Sequence, residues 1–243
     1  MIRVFKNEEA LSQGMAECFV TAAAGAIAER GRFSVALSGG HTPARAYRLL
    51  TAEPYVGRVD WPKAHFFWGD ERNVPNTDPD SNEKMAREAF LNSPFVDPDT
   101  IHPMFGGGTN VEAAAAYEAL LRTFFGDTGP LFDIVMLGMG PDGHTLSLFP
   151  GAGNLDSPAW VIPASTDVWA VHDRITLTPL TVSLSREVVL EIAGADKAEM
   201  VKAIIEDGAD YPLGAVVRRC ANVTWLLDEG AASLLQTAQT ERA

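Results

Sequence analysis

The sequence predicts an α/β fold, a mostly parallel sheet with helices on both faces. Three observations carry that expectation. Short runs rich in β-branched and aromatic residues alternate with helical patterns along the chain, the pattern of strands joined by covering helices. Three loops that leave predicted strands, SGGHTP, GDERNVPN and GMGPDGHT, carry unusual chemistry at the carboxyl edge, where such sheets bind ligands. No Pro/Gly/Ser linker long enough to divide the chain interrupts the pattern, so residues 1–243 are expected to form a single domain.

Taken in order, IRVF (2–5) reads as a strand and residues 8–30 as a long helix. FSVALS (33–38) is a buried strand, followed by GGHTP and a helix from Ala44. HFFWGD (65–70) is a third strand, and SNEKMAREAFL a helix with Ser81 or Asn82 as N-cap. VEAAAAYEALLRTFF is the next helix, then strand FDIVMLG. RITLT (174–178), VVLEIAG (188–194) and NVTWLLD (222–228) complete the strands, with helices expected near 196–206 and 229–238. The stretch 140–170, rich in Gly, Pro, Ser and Asp, reads as an active-site loop region.

Composition narrows the function classes. Nineteen Lys and Arg against thirty-two Asp and Glu leave a formal charge of −13, which argues against nucleic acid, whose binding begins with a concentrated positive field. An anionic small molecule then requires a few basic side chains to converge locally. The apolar stretch MAECFVTAAAGAIAER carries acids and an arginine and reads as a core-facing helix rather than a membrane span. No basic n-region followed by an apolar h-region opens the sequence, so a cytoplasmic location is expected. Cys18 and Cys220 read as reduced thiols, and the five histidines show no metal-ligand spacing, so a structural zinc is not expected.

GMGPDGHT contains a full G-x-G-x-x-G at Gly138, Gly140 and Gly143. A dinucleotide fingerprint needs a long helix directly after the glycines and an acidic residue closing a second strand. Here Pro141 precedes Asp142, and LFPGAG breaks the chain soon after. The glycines are better read as backbone permission that brings Asp142 and His144 to the lip of the sheet. His144 exchanges protons near neutral pH and suits a general base, with Asp142 placed to orient it; a histidine bonded to a loop carbonyl is the alternative. SGGHTP reads as an anion cradle built from Ser38, Gly39, Gly40 and Thr42 at a helix N-terminus, or as a plain strand–helix turn. His41 receives no role. In GDER, Glu71 is expected to be a solvated charge, whereas Arg72 offers a planar fork to an anion. Arg174 and Lys197 stand at element junctions and are either surface charges or helpers of the same anion site.

The segments SGGHTPARAY, FFWGDERNVPNTDPDSN, FDIVMLGMGPDGHTLSLFPG, RITLT and IAGADKAEM resemble those of 6-phosphogluconolactonases, in the same order, from roughly residue 5 to residue 230. That resemblance implies an open Rossmann-like sheet similar to that of glucosamine-6-phosphate deaminases. It implies hydrolysis of 6-phospho-D-glucono-1,5-lactone to 6-phospho-D-gluconate without metal or organic cofactor. His144 would activate water, Arg72, Arg174 and Lys197 would meet the phosphate or its surroundings, and the turn containing Ser38, Gly39, Gly40 and Thr42 would line the pocket. Arg72 or backbone N–H groups would also stabilise the oxyanion. The expected partner is a small-molecule sugar phosphate, met by a monomer, with no nucleic acid and no membrane. Two departures stand out: Ser183 replaces a frequent asparagine after RITLT, and His41 stands where Ser or Arg is common. Two rivals are a deaminase, whose family places a glutamate where this chain has Phe149, and a non-catalytic sugar-phosphate sensor, which usually adds a basic DNA-binding segment.

Overall fold

The computed structural model describes residues 1–105, 107–127, 129–236 and, as backbone, 240–242. Its strands in chain order are β1 (Ile2–Phe5), β2 (Phe33–Leu37), β3 (Ala64–Trp68), β4 (Asp70–Arg72), β5 (Ile134–Leu137), β6 (Val161–Ser165), β7 (Asp173–Leu177), β8 (Glu187–Ile192), β9 (Val223–Asp228) and β10 (Thr240–Arg242). The helices are α1 (Glu8–Arg30), α2 (His41–Leu50), α3 (Asn82–Ala86), α4 (Asn110–Phe125), α5 (Pro179–Ser183), α6 (Ala198–Ile205) and α7 (Pro212–Val217).

Among the described residues the main sheet runs β10-β1-β9-β8-β5-β2-β3, with every neighbouring pair parallel. Every residue of β2 and of β5 is buried, so both faces of the centre are covered, as their largely apolar runs require. The expected mostly parallel α/β sheet is present. RITLT, however, is not part of it. It forms β7 of a separate antiparallel sheet, β4-β7-β6, joined to the main sheet by the Leu177 N–H donating to Gly69 O at 2.8 Å.

Local chemistry explains the element boundaries. The side chain of Asn7 accepts from Ala10 N to start α1, and Gly31, at φ 77°, ends it. Ser81 caps α3 by accepting from Lys84 N, and the helix continues in π geometry through Arg87–Leu91. Thr109 and Glu112 close a capping box on α4. α2 begins at His41 rather than near Ala44, because Pro43 fits the first turn, where its missing N–H costs nothing. β6 escapes the sequence pattern because Pro163 interrupts it, and it is tolerated because β6 is an edge strand. α5 starts at a Thr178 cap with Pro179 following, a signal hidden in the short TPLTVS stretch. The helix expected near 229–238 is replaced by turns over 229–234, where the Asp228 carboxylate takes the Ala231 N–H; residues 237–239 lie outside the described residues.

Candidate functional site

Beyond the carboxyl ends of β2, β3, β5 and β8 lies a cavity of about 270 Å³. The antiparallel sheet forms its far wall through Arg72 and Arg174.

The glycine loop leaves β5 and folds back on itself. Gly140 N–H donates to His144 O at 2.9 Å, and Gly143 N–H to Gly140 O at 3.1 Å. No long helix follows the glycines, which disposes of the dinucleotide fingerprint. Gly140 instead makes room for the His144 ring. A Cβ there would fall 2.1 Å from the His144 ring, so only glycine lets the imidazole lie against the backbone. Gly143 takes φ 77° and turns the chain beside Tyr211. The Asp142 carboxylate receives the His144 Nδ1 hydrogen bond at 2.5 Å, and the His144 backbone N–H at 3.2 Å. Burial raises the Asp142 carboxyl, but these hydrogen bonds outweigh it and hold it below the usual carboxylate range. An ionised Asp142 accepts only, so Nδ1 is the nitrogen that carries a proton, and in the neutral ring Nε2 is the one with the lone pair. The ring, 16% exposed, has Phe149 at 4.9 Å and Trp169 at 6.0 Å between centroids.

Opposite this loop is the turn from β2 into α2. Tyr47, buried in the core, donates its hydroxyl to Ser38 O at 2.9 Å and accepts from Ser38 N at 3.0 Å, which fixes the first residue of the turn. Gly39 passes so close to Asn82 that a Cβ would meet its Oδ1 at 2.0 Å, and Gly40 takes φ 106°. No side chain caps α2. Its N-terminus therefore opens on the cavity with Ser38, Gly39, Gly40 and Thr42 along the wall, an arrangement suited to an anion.

The cations converge on the same space. Arg72 and Arg174 are register partners on β4 and β7, and Arg174 is buried. Burial, then the Arg72 charge, hold the Arg174 guanidinium below its ordinary value. Arg174 Nε donates to Val171 O at 3.0 Å, while Arg72 Nη1 donates to Asp80 O at 2.5 Å and its buried Nε has no partner. Lys197 reaches the cavity from the turn Ala195–Lys197 and pairs with Asp196 at 3.2 Å. All the expected site residues thus meet in one place except Asp142, which stands behind His144 rather than on the cavity wall.

Glu71 corrects an expectation. It is 2% exposed rather than solvated, and its carboxylate accepts from Asn82 N at 2.8 Å, Glu83 N at 2.7 Å and Ser81 Oγ at 3.1 Å. It ties β4 to the start of α3 and so holds Arg72 in place. Burial pushes its carboxyl up to about 7 against the pull of those donors. Asp70, Asn82, His41 and Trp169 also line the cavity and were not assigned roles from sequence. The Asp70–Ser147 hydrogen bond at 2.7 Å links β4 to the histidine loop, a long-range contact with no local signal. Ser183 bonds Leu180 O at 2.7 Å within α5 and is not among the cavity-lining residues, so that departure leaves the pocket wall unchanged.

The comparisons with known proteins agree with this geometry. The family model described as glucosamine-6-phosphate isomerases/6-phosphogluconolactonase matches residues 6–225. The 6-phosphogluconolactonase of Mycobacterium tuberculosis is 39% identical over 96% of this chain and 98% of its own. That of Synechocystis sp. is 37% identical over 97% and 98%. Among solved structures, 6-phosphogluconolactonase from Trypanosoma cruzi superposes with a TM-score of 0.85 at 31% identity, covering 97% of each chain. A monomeric glucosamine-6-phosphate deaminase gives 0.81 at 25% identity, covering 96% of this chain and 99% of its own. The shared fold, the identity and the length of the match lead to one assignment: this chain belongs to the glucosamine-6-phosphate isomerase/6-phosphogluconolactonase family.

Proposed function

We propose that this chain is a 6-phosphogluconolactonase, hydrolysing 6-phospho-D-glucono-1,5-lactone to 6-phospho-D-gluconate in the oxidative pentose phosphate pathway, with His144 as general base. One observation carries the mechanism: an imidazole with Nδ1 tied to Asp142 shares a cavity with two opposed arginines. Nε2 of His144 takes a proton from water as that water attacks the lactone C1. The same nitrogen returns the proton to the ring oxygen as the C1–O bond breaks, and the carboxylic acid so formed loses its own proton to solvent. The imidazolium that exists between the two steps is stabilised by the Asp142 carboxylate. The phosphate is held between Arg72, Arg174 and Lys197 and the open end of α2, which fixes the ring relative to the base. Arg72 or backbone N–H groups of the glycine loop receive the oxyanion.

The deaminase reading has less support, since Phe149 packs on the His144 ring where that reaction would call for a carboxylate. We further infer one domain over residues 1–243, acting as a monomer in the cytoplasm. A contiguous core supports the first, a cavity walled by one chain's residues the second, and two unpaired cysteines the third. The test is lactone disappearance measured above its spontaneous rate for the wild type and His144→Ala. The variant should lose about 10²–10⁴-fold in kcat while still binding 6-phosphogluconate; an unchanged kcat rejects the assignment.

A further inference from the structure

Of the five tryptophans, Trp61, Trp68, Trp160 and Trp225 are buried, none above 7% exposure. Trp169 is 40% exposed, beside Val168 at 76%. An indole in water forgoes the large burial that makes tryptophan useful in a core, and an apolar plane at the rim of a polar cavity marks a ligand contact. Trp169 lines the cavity and stands edge-on to the His144 ring, with 70° between the planes. Its loop is fastened at the base: Thr166 N–H donates to His172 O at 3.1 Å, and Val168 N–H to Thr166 Oγ1 at 3.2 Å. The chain runs from there into β7, so one hairpin presents both an aromatic plane and the Arg174 cation.

A gluco-configured six-membered ring carries its hydroxyls around its rim and shows C–H groups above and below, faces that an indole covers well. Hydrolysis opens the ring, and the acyclic acid has no such plane. We propose that Trp169 is the stacking platform that recognises the closed sugar ring, so that the site holds the cyclic ester more tightly than the open-chain acid it becomes. The inference rests on the lactonase reading of the same cavity. Because the ring is stacked in both ground and transition states, the platform acts on KM more than on kcat.

Calorimetry with two unreactive ligands tests this: cyclic 1,5-anhydroglucitol 6-phosphate and acyclic 6-phosphogluconate, each titrated into the wild type, Trp169→Ala and Trp169→Phe. Trp169 lies outside the buried core, so both variants are expected to fold. Trp169→Ala should weaken the cyclic ligand about tenfold and the acyclic one less than about twofold, with Trp169→Phe recovering most of the loss. Equal losses for both ligands overturn the proposal, since the loop would then merely position Arg174. No loss for the cyclic ligand overturns it as well. A wild type that binds neither ligand rejects the lactonase reading itself, and the platform with it.

Discussion

Arg72 and Arg174 oppose each other directly across β4 and β7. Like charges in register destabilise an antiparallel pair, and no carboxylate forms an ion pair with Arg174 among the described residues. The arrangement is balanced when a dianion lies between the two guanidinium groups. Inorganic phosphate should therefore raise the melting temperature of the wild type, and Arg174→Ala should abolish that rise while raising KM for the lactone by about 10–100-fold. Thermal scans with and without phosphate check the first, steady-state kinetics the second.

Asp142 is hydrogen-bonded to Nδ1 of the His144 ring. Asp142→Asn offers an amide that can donate where the carboxylate only accepted, which favours the wrong tautomer. We expect kcat to fall by about 10²–10⁴-fold with phosphate-induced stabilisation intact. A fall of less than twofold would show that the ring needs no orienting partner.

Gly140→Ala places a methyl where the imidazole lies. The ring must swing away, so activity should drop about as far as in His144→Ala although the circular dichroism spectrum is unchanged. The His144 ring proton shifts in an NMR spectrum report the displacement directly.

Glu191 is buried on β8 at the cavity edge, and neither carboxyl oxygen accepts a well-formed hydrogen bond, although the nearby Ser12 hydroxyl draws the carboxyl down. Burial, then the Glu8 charge, push it up to about 8 from an ordinary 4.5, and Arg45 opposes them. The native state thus keeps a proton that the unfolded chain gives up. This contribution is whole below pH 4.5 and is lost as the pH rises through about 8. Glu191→Gln should flatten that decline in chemical denaturation measured at pH 5, 7 and 9.

His102 works in the opposite direction. It stacks on Phe67 at 4.4 Å and contacts His65 Nδ1 at 3.2 Å, and burial, then the His65 charge, lower it to about 4 from 6.5. Here the unfolded chain takes up the proton first. Stability is whole above pH 6.5 and is lost as the pH falls through about 4. His102→Phe should remove much of that acid sensitivity in the same denaturation series.

The legible parts were those written in local sequence. Buried strands such as FSVAL and IVML announced the parallel sheet, and three strand-end loops named most of the site. What escaped was non-local. Glu71 looks like one member of a charge run until Ser81, Asn82 and Glu83 fold over it. Trp169 sits in a stretch without periodicity, and its place beside His144 depends on an antiparallel sheet whose outer strand contains a proline.

The loop that carries His144 is closed by its own amide–carbonyl contacts within five residues of chain, from Gly140 to His144, while Arg72 and Arg174 come from a different sheet. The imidazole and the two guanidinium groups are consequently seated by separate stretches of backbone. The cavity-facing side chains of the β6–β7 hairpin, Trp169 and Arg174, are the place to engineer acceptance of other phosphorylated lactones, because the backbone turn that seats the imidazole closes without them.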